Sequence, residues 1–242
     1  MGNSVIKKAF HIVCEGRDDK AFFTKLFEAH GIQDFEAECA RTNNDPKRCA
    51  GKSGITDTLL GLKAVNDLNP GILRGIIIAV DSDEDPAKSF ESVRRSIKET
   101  KMQLPVPDQA LIPKLDPQGM DPAIAILSIP WIDQPGHLDS LLFDSMQTSH
   151  ADLIAPIEDF CDSTEHRTRD WAQNNKSKMK LRCAIAASKE GEPGLSLAYF
   201  LESSECEINF KDVKFNKIVN FIKEFSEHLN GKTRKPKPHP AA

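Results

Sequence analysis

The sequence predicts an α/β protein with a mostly parallel sheet, helices on both its faces, and a mainly helical C-terminal extension. Two observations carry this. Short apolar runs alternate with stretches of helical spacing through residues 1–149, and three of those runs, 9–14, 74–81 and 123–130, are apolar almost right through. A strand that is hydrophobic on both faces has to be covered on both, as in a parallel sheet between layers of helices. A third observation sets the boundary: residues 150–230 are more helical and mixed, and form the extension.

AFHIVC (9–14) reads as the first strand. DDKAFFTKLFEAHG (18–31) follows as a helix, with Phe22, Phe23, Leu26 and Phe27 on one face and Gly31 at the C-terminal cap. FEAECA (35–40) is a second, weaker strand, and SGITDTLLGLKAVNDL (53–68) a helix through Ile55, Leu59, Leu62 and Val65. RGIIIAVD (74–81) is a strong strand, followed by the helix PAKSFESVRRSIKET (86–100) with Pro86 at its opening. The proline-rich linker 101–122 carries a poorly formed strand around Ala110–Pro113, AIAILSIP (123–130) is a strand, and GHLDSLLFDSM (136–146) a short helix. In the extension, a hairpin-like segment is expected around 205–214 and an amphipathic helix over 215–229. The end, 231–242, reads as a disordered, basic, Pro-rich tail.

Composition excludes several classes. Hydrophobic residues make up 39% and charged ones 28% of 242 residues, with a net charge of −4, as in ordinary globular proteins. No run approaches a membrane span or a signal-peptide core, so a cytoplasmic protein with no membrane contact is expected. The six cysteines show no paired or zinc-finger spacing and read as reduced, mostly buried thiols. His11, His30, His137, His150, His166 and His228 show no ligand spacing and read as structural or exposed.

In an open parallel sheet the functional crevice lies beyond the carboxyl ends of the strands. Acids follow three of them: Glu15, Asp18 and Asp19 after the first, Asp81, Asp83 and Asp85 after 74–81, and Asp133 and Asp139 after 123–130. Helix N-termini favour acids in any case, which alone accounts for Asp18, Asp19 and Asp139. It accounts less well for Glu15 and the Asp81/Asp83 pair. Residues two apart in extended backbone point the same way, so Asp81 and Asp83 present two carboxylates to one point. With Glu15 alongside, their repulsion calls for protons or a divalent cation, and Mg²⁺ takes such hard oxygen ligands. Glu84 points away and Asp85 caps the helix after Pro86.

Glu15-Gly16 after a first strand, with Asp81-x-Asp83 after a later one, resembles the Toprim domain of topoisomerases, primases and several nucleases. Glu15-Gly16-x-x-Asp19-x-x-Phe22-Phe23 is similar to the Toprim half of OLD-type nucleases and to small stand-alone bacterial Toprim proteins. Gly136-x-x-Asp139-x-Leu141-Leu142 fits the family's glycine-led acidic helix, with Asp where Glu is commoner. Lys176, Lys178, Lys180 and Arg182 match its basic segment. The resemblance covers 9–145 well and 150–229 loosely. It implies that 1–149 is a Toprim-like catalytic domain. Glu15, Asp19, Asp81, Asp83 and Asp139 would then hold Mg²⁺ or Mn²⁺, with Glu15 also a general acid/base and Lys178 and Lys180 supporting the scissile phosphate. Since OLD-type relatives couple the module to an ATPase, it further implies a separately encoded ATPase partner and a role in phage defence. A homodimer is a further possibility.

The only tyrosine, Tyr199, lies in no partner domain, and the cysteines supply no zinc module, which excludes a topoisomerase and a bacterial primase. Metal-dependent hydrolysis of DNA or structured RNA remains, with a catalytically silent nucleic-acid-binding or regulatory subunit as the alternative. Residues 166–189 hold seven Lys or Arg, and Arg167, Arg169, Lys176, Lys178, Lys180 and Arg182 form the candidate phosphate-contacting patch; a solvated helix face is the competing reading. Gly51-Lys52-Ser53 resembles a phosphate-binding loop, but Pro46 takes the first glycine's place, so a glycine turn opening a helix is the better account. A haloacid-dehalogenase-like enzyme would carry its Asp-x-Asp early with Thr where Asp85 stands, and a receiver domain would carry no Asp-x-Asp.

Overall fold

Four strands, β1 (Phe10–Cys14), β2 (Phe35–Cys39), β3 (Gly75–Asp81) and β4 (Ala123–Ile129), form one parallel sheet in the order β2-β1-β3-β4. The computed structural model describes residues 6–99, 104–116, 119–188, 192–204 and 206–231. β1 and β4 are buried at every position and β3 at all but Asp81, while β2, at the sheet edge, buries only Phe35, Ala37 and Cys39. Its other face, Glu36 and Glu38, is only half-buried, which is why β2 has the weakest apolar signal.

The register sets where the chemistry falls. Cys14 lies opposite Cys39 and Ala79, and Asp81 opposite Ile129. The residues just beyond these positions therefore emerge along one edge.

Each strand leads to a helix. α1 (Arg17–His30) starts at Gly16, carries Asp18 and Asp19 in its first turn, and stops at Gly31, whose φ of 65° is the left-handed conformation that glycine tolerates. A 3₁₀ turn (Gly51–Gly54) opens α2 (Ile55–Leu68). α3 (Pro86–Glu99) is capped by Asp85, whose carboxylate accepts from the N–H groups of Ala87 and Lys88, both at 3.1 Å. α4 (Leu138–Ser149) follows β4, and α5 (Ala151–Ser163), α6 (Glu165–Thr168), α7 (Gln173–Ser188), α8 (Leu197–Glu202) and α9 (Asn216–Gly231) complete the extension.

The sheet separates two hydrophobic clusters. On one side Phe10, Ile12, Ile77 and Leu127 pack with Phe22, Phe23 and Leu26 of α1 and with Leu181, Phe200 and Phe225 of the extension. On the other, Val13, Ile76, Ile78 and Ile126 pack with Leu59 of α2 and Val93 and Ile97 of α3. Alternate strand residues feed alternate clusters, so a one-residue slip would exchange them. Full burial of a phenylalanine such as Phe22 contributes about 1.5–3 kcal/mol. α9 comes so close to the start of β3 that a Cβ on Gly75 would sit 2.6 Å from the Phe225 ring.

Three expectations need correction. The segment around Ala110–Pro113 is not a strand; Leu111 donates to the Ile126 carbonyl and Lys114 makes an isolated antiparallel bridge to Ile124. Leu111, at φ 61°, is not extended, and Pro113 has no N–H to give to a ladder. No strand or hairpin lies at 206–214; a 3₁₀ turn (Val213–Phe215), started by the Asp212 side chain accepting from the Lys214 N–H at 2.9 Å, occupies its end. Cys14, Cys161, Cys183 and Cys206 are free thiols, but Cys39 and Cys49 form a disulfide. No helix among the described residues is long and apolar enough to cross a membrane. The expected tail, 232–242, lies outside the described residues.

Candidate functional site

Beyond Cys14 the chain turns sharply at Glu15-Gly16 into α1. The Glu15 carboxylate accepts from the backbone N–H of Asp81 at 3.1 Å, which ties the ends of β1 and β3 together. Asp19 folds back on its own helix start and accepts from the Gly16 N–H at 2.9 Å. Asp18 points elsewhere and accepts from the Ala198 N–H at 2.8 Å, at the start of α8.

At the end of β3, Asp81 accepts from the N–H of Leu138 at 3.0 Å, the first residue of α4. Ser82 is fully buried, its hydroxyl donating to the Trp131 carbonyl at 3.2 Å. Asp83 then adopts φ 52°, a left-handed conformation rather than the extended one that simple alternation requires. The two carboxylates converge all the same: His137 Nδ1 lies 3.4 Å from Asp81 and 3.6 Å from Asp83. Asp83 also accepts from the Ser89 hydroxyl at 3.1 Å and from the ammonium of Lys52. Lys52 sits 3.7 Å from Glu15 as well.

These contacts define two neighbouring pockets. One, of about 290 Å³, is lined by Glu15, Asp19, Asp81, Asp139 and Lys178 among others. The other, of about 420 Å³, is lined by Lys52, Asp83, Lys88, Ser89, Ser92 and His137 together with Glu84 and Asp85. Of the five acids predicted to share a site, four meet in the first pocket, and Asp83 stands in the second.

The charges are crowded. Burial, reinforced by the charges of Asp81 and Asp83, raises Glu15 to about 7, although Lys52 opposes the shift. Burial and the charges of Asp81 and Glu15 raise Asp19 to about 7 as well. Asp139 is raised by burial, against the pull of Lys178. Asp83 goes the other way: burial alone would raise it, but its hydrogen bond with Lys52 and that residue's charge lower it. The donor chemistry, hard carboxylate oxygens in mutual repulsion, suits a divalent cation. The spacing, as it stands, directs the acids onto backbone N–H groups, Lys52 and His137. Among the described residues no three His, Cys, Asp or Glu side chains are grouped to hold a metal ion.

A family model described as "Protein of unknown function (DUF3226)" matches residues 10–227. The chain belongs to that family. No curated protein and no solved structure matches the chain. In this DUF3226 chain the matched region takes in the whole sheet, the carboxylate pocket and most of the extension.

The basic segment divides. Lys178 is exposed and lines the carboxylate pocket, and Arg167 and Arg169 are exposed on and beside α6. Arg169 lies 3.7 Å from Asp170. Lys176 is half-buried on α7. Lys180 turns away, 3.8 Å from Glu158 and over the ring of Phe143, and does not line that pocket. Arg182 donates to the Leu195 carbonyl at 3.0 Å. These last two residues are spent in part on holding the extension together.

Two residues of the site, Lys52 and His137, are not among the predicted ones: the sequence puts Lys52 in a helix-opening turn and His137 among histidines that are structural or exposed. Both had a usable signal: Lys52 is the cation of a Gly-Lys-Ser turn next to the sheet edge, and His137 lies between Gly136 and Asp139 in the acidic helix motif.

Proposed function

We propose that this chain is a divalent-metal-dependent nuclease, hydrolysing phosphodiester bonds of DNA or structured RNA on a Toprim-like sheet. The observation that carries the reading is the meeting of Glu15, Asp19, Asp81 and Asp139, from three strand ends, in one pocket beside Lys178. These four, with Asp83, would hold Mg²⁺ or Mn²⁺, which supplies Lewis acidity and a water made acidic enough to attack at neutral pH. Glu15, raised to about 7, has the acidity to take up or return a proton there. Lys178 adds positive charge where a scissile phosphate enters, and Arg167, Arg169 and Lys176 extend that charge along the strand. Lys180 serves from the far side of α7, as a contributor to the field rather than a contact. The setting that goes with this reading is a cytoplasmic protein, working as a homodimer or with a separately encoded ATPase, in defence against phage.

A second reading is a catalytically silent nucleic-acid-binding or regulatory subunit. It is favoured by the partners that three of the pocket's acids already have: Glu15, Asp19 and Asp81 accept from the N–H groups of Asp81, Gly16 and Leu138. The test is cleavage of plasmid DNA and structured RNA with Mg²⁺, with Mn²⁺ and with chelator, by the native chain and by Glu15→Ala and Asp81→Ala. Metal-dependent cleavage lost in both variants supports the nuclease. Cleavage indifferent to both sinks the assigned site, and retained nucleic-acid binding without cleavage favours the silent subunit.

A further inference from the structure

Lys52 stands at the wall between the two pockets. Its ammonium pairs with Asp83 and lies 3.7 Å from Glu15, acids that follow different strands. It therefore brings one positive charge within the fields of Glu15, Asp81 and Asp83. The backbone that carries it is fixed from several directions. The Gly51 N–H donates to the Glu15 carbonyl at 3.2 Å, Cys49 is bonded to Cys39 at the end of β2, and Gly54 is packed against Ala40 and Arg41. The side chain is free in a different sense: it is a four-carbon stem, one-third exposed, whose tip adjoins the 420 Å³ pocket.

We propose that Lys52 is the built-in counter-ion of this carboxylate cluster, holding Glu15 and Asp83 in the metal-free protein and competing with a divalent cation for them. The inference rests on the metal-binding reading above. An ammonium and a divalent ion repel each other and draw on the same carboxylate oxygens, so one must leave as the other enters. Lys52 thus sets the affinity of the site for its ion: it keeps the acids from collapsing outward and keeps weakly held cations out.

The experiment is a Mn²⁺ titration of the full chain, following the free-ion electron paramagnetic resonance signal, on the native protein and on Lys52→Met, Lys52→Gln and Lys52→Arg. Lys52→Met keeps an unbranched apolar stem and removes the charge, and Lys52→Gln removes it with a shorter, polar side chain, so a folding failure in one leaves the other. Removing the charge is expected to tighten Mn²⁺ binding by about tenfold, the factor that corresponds to ~1.4 kcal/mol. Lys52→Arg, which keeps the charge, is expected to bind as the native chain does. In thermal unfolding, Lys52→Met should lose stability without metal and gain more from added Mn²⁺ than the native chain gains. Native binding with unchanged or weaker binding in both uncharged variants overturns the role of Lys52 and leaves the metal reading standing. No binding by any of the proteins overturns both.

Discussion

The Glu15 side chain accepts a hydrogen bond from the Asp81 N–H, 3.1 Å away, so the link between the ends of β1 and β3 is made by a carboxylate that resists ionising there. Burial raises Glu15 from its ordinary 4.5 to about 7, and burial raises Asp19 from 3.8 to about 7. Between those ordinary values and about 7 the folded chain holds more protons than the unfolded one, so stability falls as pH rises. The contribution of these two acids is full below their unfolded values and lost as pH passes through about 7. Without metal, unfolding followed across about pH 5 to 8 should show that loss. Glu15→Gln keeps the acceptor and removes the charge, so it should flatten the fall and gain about 1 kcal/mol at the alkaline end. An equally steep fall in the variant would remove Glu15 as its source.

His137 is the second group whose titration reports on the site. Its ring is buried, with Nδ1 between Asp81 and Asp83. The hydrogen bond to Asp81 raises its pKa above 6.5, with the charges of Asp81, Asp83 and Asp139 adding to this against the effect of burial. The stability this pairing contributes is full below 6.5 and fades as pH rises through the folded value. Imidazole resonances followed by nuclear magnetic resonance should give a midpoint above that of free histidine, moving down in Asp81→Asn. A midpoint at or below 6.5 in the native chain would mean that His137 does not face the two acids.

Gly54 links the site to the scaffold by close approach. Its φ is −86°, so no special backbone conformation is needed, but an added Cβ would lie 2.7 Å from the Arg41 N and 2.9 Å from the Ala40 carbonyl carbon. Backbone atoms yield less readily than the end of a side chain. Gly54→Ala should therefore cost about 1–3 kcal/mol, the usual penalty of overpacking, and shift the turn that carries Lys52. By contrast Gly61→Ala, where nothing lies within 4 Å, should be neutral or stabilising because it lies within α2. Equal stability of the two variants in denaturant unfolding would contradict the close packing at Gly54.

Much of this was legible in the residues for a physical reason. The three strands that are apolar almost throughout are the three whose neighbours cover both faces, and β2 gave a weaker signal because its outer positions, Glu36 and Glu38, are half-exposed. The acids after the strands were legible because parallel strands share one carboxyl edge. What was not legible depended on contacts distant in sequence. Asp83 reaches His137 through a left-handed turn that a period of two does not describe. Lys52 is 37 and 31 positions from the acids it pairs with, and a Gly-Lys-Ser turn says nothing about which acids lie above it. Cys39 and Cys49 meet because the chain between them doubles back past Ala40, where the Ala50 N–H donates to the Ala40 carbonyl at 2.8 Å.

The basic segment gives the sharpest test of nucleic-acid contact, because neighbouring lysines on α7 face different surroundings. Lys178 is exposed at the carboxylate pocket, whereas Lys180 lies beside Glu158 and Phe143. Each phosphate contact on a duplex contributes about 0.9 to the slope of log affinity against log salt. Lys178→Ala and Arg167→Ala should each weaken duplex binding and lower that slope by about 0.9, whatever the sequence bound. Lys180→Ala should leave the slope nearly unchanged and cost up to about 1 kcal/mol in stability, the range of a partly exposed ion pair. The measurement is fluorescence-anisotropy binding at several salt concentrations, with denaturant unfolding of the same three variants. A slope that falls for Lys180→Ala and not for Lys178→Ala would place the nucleic acid on the Glu158 side of α7, away from Glu15 and Asp81. Slopes unchanged in all three would remove this helix from the interface.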